Sequence, residues 1–247
     1  MKTKFLTTAA VLAFSLSTGA QASLVARTGG MVYDTVNNIT WASDANLFKT
    51  QAAGNANLVS QIITANNGVI HDTPNFFDNG THTLTSSDFF TTTGTMTWWG
   101  AQAWANNLSL GGYTDWSLPT TVPAVEGYNQ TGSQMGDLFY NQLGGVAGNS
   151  IATTHNDNYN LFTNVQHVYW SGSEYAPFPN DAWTFFPTDG YGYQGFSVKY
   201  PQIWSIPTYA WAVRSGDVAA VPVPGAFWLF GSAMVGLMGL KRRGSIG

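Results

Sequence analysis

The chain has 247 residues, of which 44% are hydrophobic and 15% aromatic, enough apolar material for a well-buried core and the opposite of a disordered composition. Charged residues make up only 9%, and the stretch 23–218 holds four basic against all thirteen acidic side chains, a net charge of −9. Phosphate and sulfate recognition needs clustered Lys and Arg, so nucleic acid and sulfated polysaccharide are poor partners for this stretch. The absence of cysteine excludes disulfides, thiolate catalysis and Cys-ligated metal.

The first 22 residues have the form of a secretory signal. Lys2 and Lys4 supply the positive start, Phe5 to Leu16 is apolar except for Thr7, Thr8 and Ser15, and Ala20-Gln21-Ala22 has the A-x-A form of a cleavage site. Signal peptidase is the expected processing enzyme, leaving Ser23 as the first mature residue. The alternative is a buried N-terminal helix.

Residues 23–218 read as one domain, without a fixed-period repeat. A weak helical pattern covers Asn55 to Ala65, and the Thr-, Asn- and Asp-rich stretch 66–95 is expected to be a long surface excursion. Thr97 is placed to cap a helix running to about Leu108, with Ala101, Trp104 and Leu108 on one face and Gly111 as a stop. Ser133 is placed to cap another, with Met135, Leu138, Phe139 and Leu143 at helical spacing and Gly144-Gly145 at its end. Val168 to Glu174, Ala182 to Phe186, Gly195 to Lys199 and the alternating Thr208 to Arg214 are expected strands. The sum is an α+β domain with two or three helices, placed early, and a small antiparallel sheet, placed late.

Several blocks of this body resemble one family in order. They are Asp34-Thr35-Val36-Asn37-Asn38-Ile39-Thr40-Trp41, the helix with Trp99 and Trp104, Gly111-Gly112-Tyr113-Thr114-Asp115-Trp116-Ser117-Leu118-Pro119-Thr120, Met135-Gly136-Asp137-Leu138, Tyr169-Trp170-Ser171-Gly172-Ser173, Trp183 with Phe185, and Ala212-Val213-Arg214. Together the body is similar to the Lcl C-terminal domain family, which implies a compact C-type-lectin-like fold and a capacity, in some relatives, to bind polysaccharide. One departure is Ser117, where that family carries Arg.

After the linker 219–224, Val221-Pro222-Val223-Pro224 breaks any helix, and an uncharged run from Gly225 to Leu240 leads to Lys241-Arg242-Arg243. As a helix, the sixteen-residue run would reach ~24 Å at 1.5 Å per residue, against a hydrocarbon core of ~30 Å. The terminal cations fit the cytoplasmic side of an inner membrane. With Trp228-Leu229-Phe230-Gly231, this tail resembles the PEP-CTERM sorting signal, with Val223 where that motif carries Glu. The resemblance implies a transmembrane helix at about 226–240, removal of the tail 219–247 by an exosortase, and company with exopolysaccharide in a biofilm matrix. The alternative is a permanent single-span anchor, and both place the body outside the cytoplasmic membrane.

No G-x-S-x-G elbow, P-loop or H-E-x-x-H occurs, and His71, His82, His155 and His167 lack metal-ligand spacing. Phe178-Pro179-Asn180-Asp181-Ala182-Trp183 resembles the calcium loop of C-type lectins, with Glu174 and Asp189 available as further oxygen ligands for calcium, glycan or both. The competing reading is a polar loop before a strand whose Trp183 is core. Trp41, Trp99, Trp116, Trp170 and Trp211 are expected in the core, and Asp115 in a turn. The expectation is thus an exported, non-enzymatic surface or matrix protein that binds polysaccharide or is adhesive. An extracellular glycan hydrolase and a purely structural matrix component are the alternatives.

Overall fold

The computed structural model describes residues 23–188, 191–200 and 206–218. The signal residues Ala20 and Ala22, the sorting residues Val221, Pro222, Val223, Pro224, Lys241, Arg242 and Arg243, and Asp189 lie outside them. Among the described residues, no helix is long and apolar enough to cross a membrane.

The chain begins in strands. Leu24–Arg27 (β1), Met31–Asp34 (β2) and Ile39–Ala42 (β3) form an antiparallel meander. Gly29 and Gly30 turn the first hairpin at positive φ, a conformation that costs glycine nothing. Asp34 ends β2 by accepting the amides of Val36 and Asn37 on one carboxylate oxygen, an Asx turn that leads into β3. The fourth strand of this sheet is Val213–Ser215 (β11), paired with β3, so the order is β1-β2-β3-β11. The expected late sheet is present separately, and this sheet is an addition to it that joins the two ends of the domain, where Arg27 and Asp217 form an ion pair at 2.8 Å.

Among the described residues there are four α-helices: Leu47–Gly54 (α1), Leu58–Ala65 (α2), Trp98–Asn107 (α3) and Gln134–Asp137 (α4), the last continuing as a π-helical turn over Leu138–Gln142. Thr97 and Ser133 cap α3 and α4 as expected, accepting the amides of Gly100 and Gly136. Helix α1 is an addition to the expected set. The 66–95 stretch is more than a surface excursion. It holds the hairpin Val69–His71 (β4) with Thr81–Thr83 (β5) and the pair Phe89–Phe90 (β6) with Thr95–Met96 (β7), and it buries Ile70, Leu84, Asp88 and Phe89.

The late sheet comprises Tyr169–Glu174 (β8), Asp181–Phe186 (β9) and Tyr193–Val198 (β10), ordered β10-β9-β8 and wholly antiparallel. Between the two sheets runs the segment 208–213. Thr208 accepts from Met96, Tyr209 bonds Val168 and Trp170, Ala212 accepts from Ala42, and Val213 exchanges both backbone bonds with Ser117. Both faces of this segment are buried, so its alternating pattern does not mark one wet face, and only Val213 at its end enters a regular strand. Trp211 is the centre of the core. Its ring lies 5.4 Å from Trp41, 5.1 Å from Phe162 and 5.1 Å from Tyr169, and its indole donates to the Ala42 carbonyl at 2.7 Å. Trp41, Trp99, Trp116, Trp170 and Trp211 are all buried.

Candidate functional site

The β8–β9 hairpin and the loop 72–80 are stitched together at one end of the late sheet. Lys199, just past β10, is the stitch. Its side chain is completely buried, and its ammonium bonds Asp72 at 2.6 Å and Glu174 at 3.2 Å. The rings of Trp98 and Trp99 lie 4.6 and 5.8 Å from the same ammonium. A buried ammonium is tolerable only with such partners. The Asp72 oxygen that takes Lys199 also accepts from the Trp99 indole at 3.0 Å and Asn75 at 3.0 Å.

The loop is pinned twice more. The amide of Thr73 donates to Glu174 at 3.1 Å, and the amide of Phe76 donates to the Asn180 side-chain oxygen at 2.6 Å. The Lys199 amide donates to the Asn180 carbonyl. These bonds hold aromatic side chains at the surface. Phe76 is 86% exposed and Phe178 59% exposed. Phe178 stacks on Tyr175, which stacks in turn on Phe196 with centroids 4.0 Å apart and planes within 10°. Trp183, buried beneath, meets Tyr175 edge-on at 5.1 Å. Flat rings braced from below, with amide and carboxylate groups beside them, form a rigid surface on which a pyranose ring can lie.

Glu174, Asn180, Asp181 and Trp183 of the sequence-predicted loop do come together. Glu174 and Asn180 spend oxygens on Lys199, Thr73 and Phe76, and the lysine ammonium supplies the local cation. Among the described residues no group of three or more His, Asp or Glu side chains is arranged to hold a metal. Trp183 is core, as the competing reading expects. Asp181 remains available: it accepts no side-chain hydrogen bond among the described residues, and burial raises its pKa against the opposing pull of Lys199. The sequence reading missed Asp72, Lys199 and Phe76. Asp72 lies 102 positions from Glu174 and 127 from Lys199, and no local pattern links them.

A second polar feature lies beside helix α1. An open cleft of about 380 Å³ is lined by Asn46, Lys49, Thr50, Ala53, Asn164 and Gln166. No protein family, curated protein or solved structure matches this chain.

Proposed function

We propose that this is an exported, non-enzymatic polysaccharide-binding protein of the cell surface or extracellular matrix. In this reading signal peptidase cuts before Ser23, the tail holds the chain in the inner membrane, and an exosortase then removes the tail, as its likeness to PEP-CTERM signals implies. The C-type-lectin-like reading of the body belongs to the same proposal. The compact α+β frame supports it, with loops that carry aromatic rings outward.

The observation that carries the binding function is the braced aromatic face of Phe76, Phe178, Tyr175 and Phe196 around Asn180 and Asp181. Ring faces cover the C–H face of a sugar, and the amide and carboxylate bond its hydroxyls. Covering on the order of 60 Å² of apolar ring at ~25 cal/mol per Å² is worth ~1.5 kcal/mol, about tenfold in affinity. Phe178→Ala should accordingly weaken retention by the producer's exopolysaccharide about tenfold in affinity electrophoresis, with no change in far-UV circular dichroism. Unchanged retention would remove the aromatic face from the proposal. Glycan chains of unchanged length after prolonged incubation are expected, and shortened chains would favour the hydrolase. Intact mass of the mature protein from cells with and without exosortase tests the sorting step: a loss of the tail only in the first is expected.

A further inference from the structure

We propose that the cleft beside helix α1 is a second binding site, one that takes a sugar acid, meaning a single hydroxylated ring carrying one carboxylate. The first observation is charge. Of the four cations in the body, three are paired: Arg27 with Asp217, Lys199 with Asp72 and Glu174, and Arg214 with Asp115. Lys49 alone is exposed with no ion pair among the described residues, and it lines the cleft.

The second observation is how the walls are built. Asp44 spends both carboxylate oxygens on them. One accepts the Asn46 amide at 2.9 Å and the Asn164 side chain at 2.9 Å, and the other accepts the Thr50 hydroxyl at 2.5 Å. Backbone bonds from Ala45 to Thr163 and from Thr163 to Ser43, each 2.9 Å, fix the α1 side to the 163–166 side. Asn164 sits at φ 56°, a left-handed position that asparagine tolerates, with its side chain held by Asp44. Gln166 donates its amide to the Asn164 carbonyl at 2.7 Å. The walls are thus set before any ligand arrives, which lowers the ordering cost of binding.

What is left free defines the ligand. The side-chain amide groups of Asn164 and Gln166 donate to the walls, leaving their oxygens without a partner among the described residues and able to accept from hydroxyls. Asp44, behind the wall, already accepts three hydrogen bonds from the residues that form it. The Lys49 ammonium and these two amide oxygens match one carboxylate and a pair of ring hydroxyls. The volume lies within the range of small-molecule sites. The body's net charge of −9 repels a polyanion and leaves a singly charged ring as the fitting class.

The test titrates the full mature protein with glucuronate, glucose and acetate while following the side-chain amide signals of Asn164 and Gln166 by NMR. Glucuronate should shift both signals and bind about fivefold more tightly than glucose, the upper worth of one exposed ion pair. Acetate should bind more weakly than glucuronate. Lys49→Gln should abolish the preference over glucose, and added salt should reduce it. Phe178→Ala should leave all of this unchanged, which separates this cleft from the aromatic face. Equal binding of glucuronate and glucose to the unaltered protein, or no shift of either amide signal at tens of millimolar glucuronate, would overturn the proposal.

Discussion

Lys199 shows how one side chain decides a region. Its ammonium has no exposed surface, and the Asp72 carboxylate that faces it has none either. Removing one member of such a pair strands the other in a dry environment, at a typical cost of about 3–5 kcal/mol. Lys199→Met should lower stability by that amount in urea unfolding, and adding Asp72→Asn should recover part of it. Asp88 gives the corresponding prediction for pH. Burial pushes its pKa up, but hydrogen bonds from His82, the Thr85 amide and Thr97 outweigh it, and the net result is a lowered value. A lowered folded pKa stabilises above the unfolded value of roughly 3.9 and is lost as pH falls through the folded value. Asp88→Asn should therefore destabilise at neutral pH and flatten the acid limb of the stability profile. Asp115 corrects the sequence reading: it lies in extended chain and not in a turn. Arg214 grips its carboxylate in two bonds of 2.8 and 3.0 Å, with the guanidinium 4.1 Å from the Tyr113 ring. Asp115 is 57% exposed and Arg214 only 9%, so solvent screens the carboxylate side of the pair.

The elements that were legible are those with a local chemical start. Thr97 and Ser133 announce α3 and α4 because a side-chain oxygen before an apolar run has one common use, and both do cap. Helix α1 has no such start. Asn46 makes no cap bond, because its side chain donates to the Thr93 carbonyl, and only Phe48 of the helix is buried. The N-terminal strands were missed for a different reason: four-residue strands carry too few alternations, and their closing partner is some 170 positions away. Of the binding loop, the hairpin residues Glu174, Asn180 and Asp181 were found because they are near in sequence, whereas Asp72 and Lys199 were brought by tertiary pairing. Helix α3 also carries a test against propensity. Gly100 sits in it with the Asp88 carbonyl against the place a methyl group would occupy. Ala is ordinarily better than Gly in a helix by ~1 kcal/mol. Gly100→Ala should nonetheless destabilise, by about 1–3 kcal/mol as an overpacked core position, measured by the denaturation midpoint.

At the scale of the whole molecule, the segment 208–213 touches both sheets, and Trp211 fills the space between them. Trp211→Ala should cost about 3–5 kcal/mol, and a chain ending at Pro207 should lack cooperative thermal unfolding. Such a layout was not recoverable from periodicity, because the segment borrows bonds from four separate stretches and never forms one long ladder. The pairing of β3 with β11 also has a consequence in time. A chain delivered amino end first offers the outer edge of β3 long before its own last strand arrives. During that interval the edge can accept the equivalent strand of a neighbouring copy. Refolding at high concentration should consequently yield strand-exchanged dimers, and dilute refolding the closed monomer.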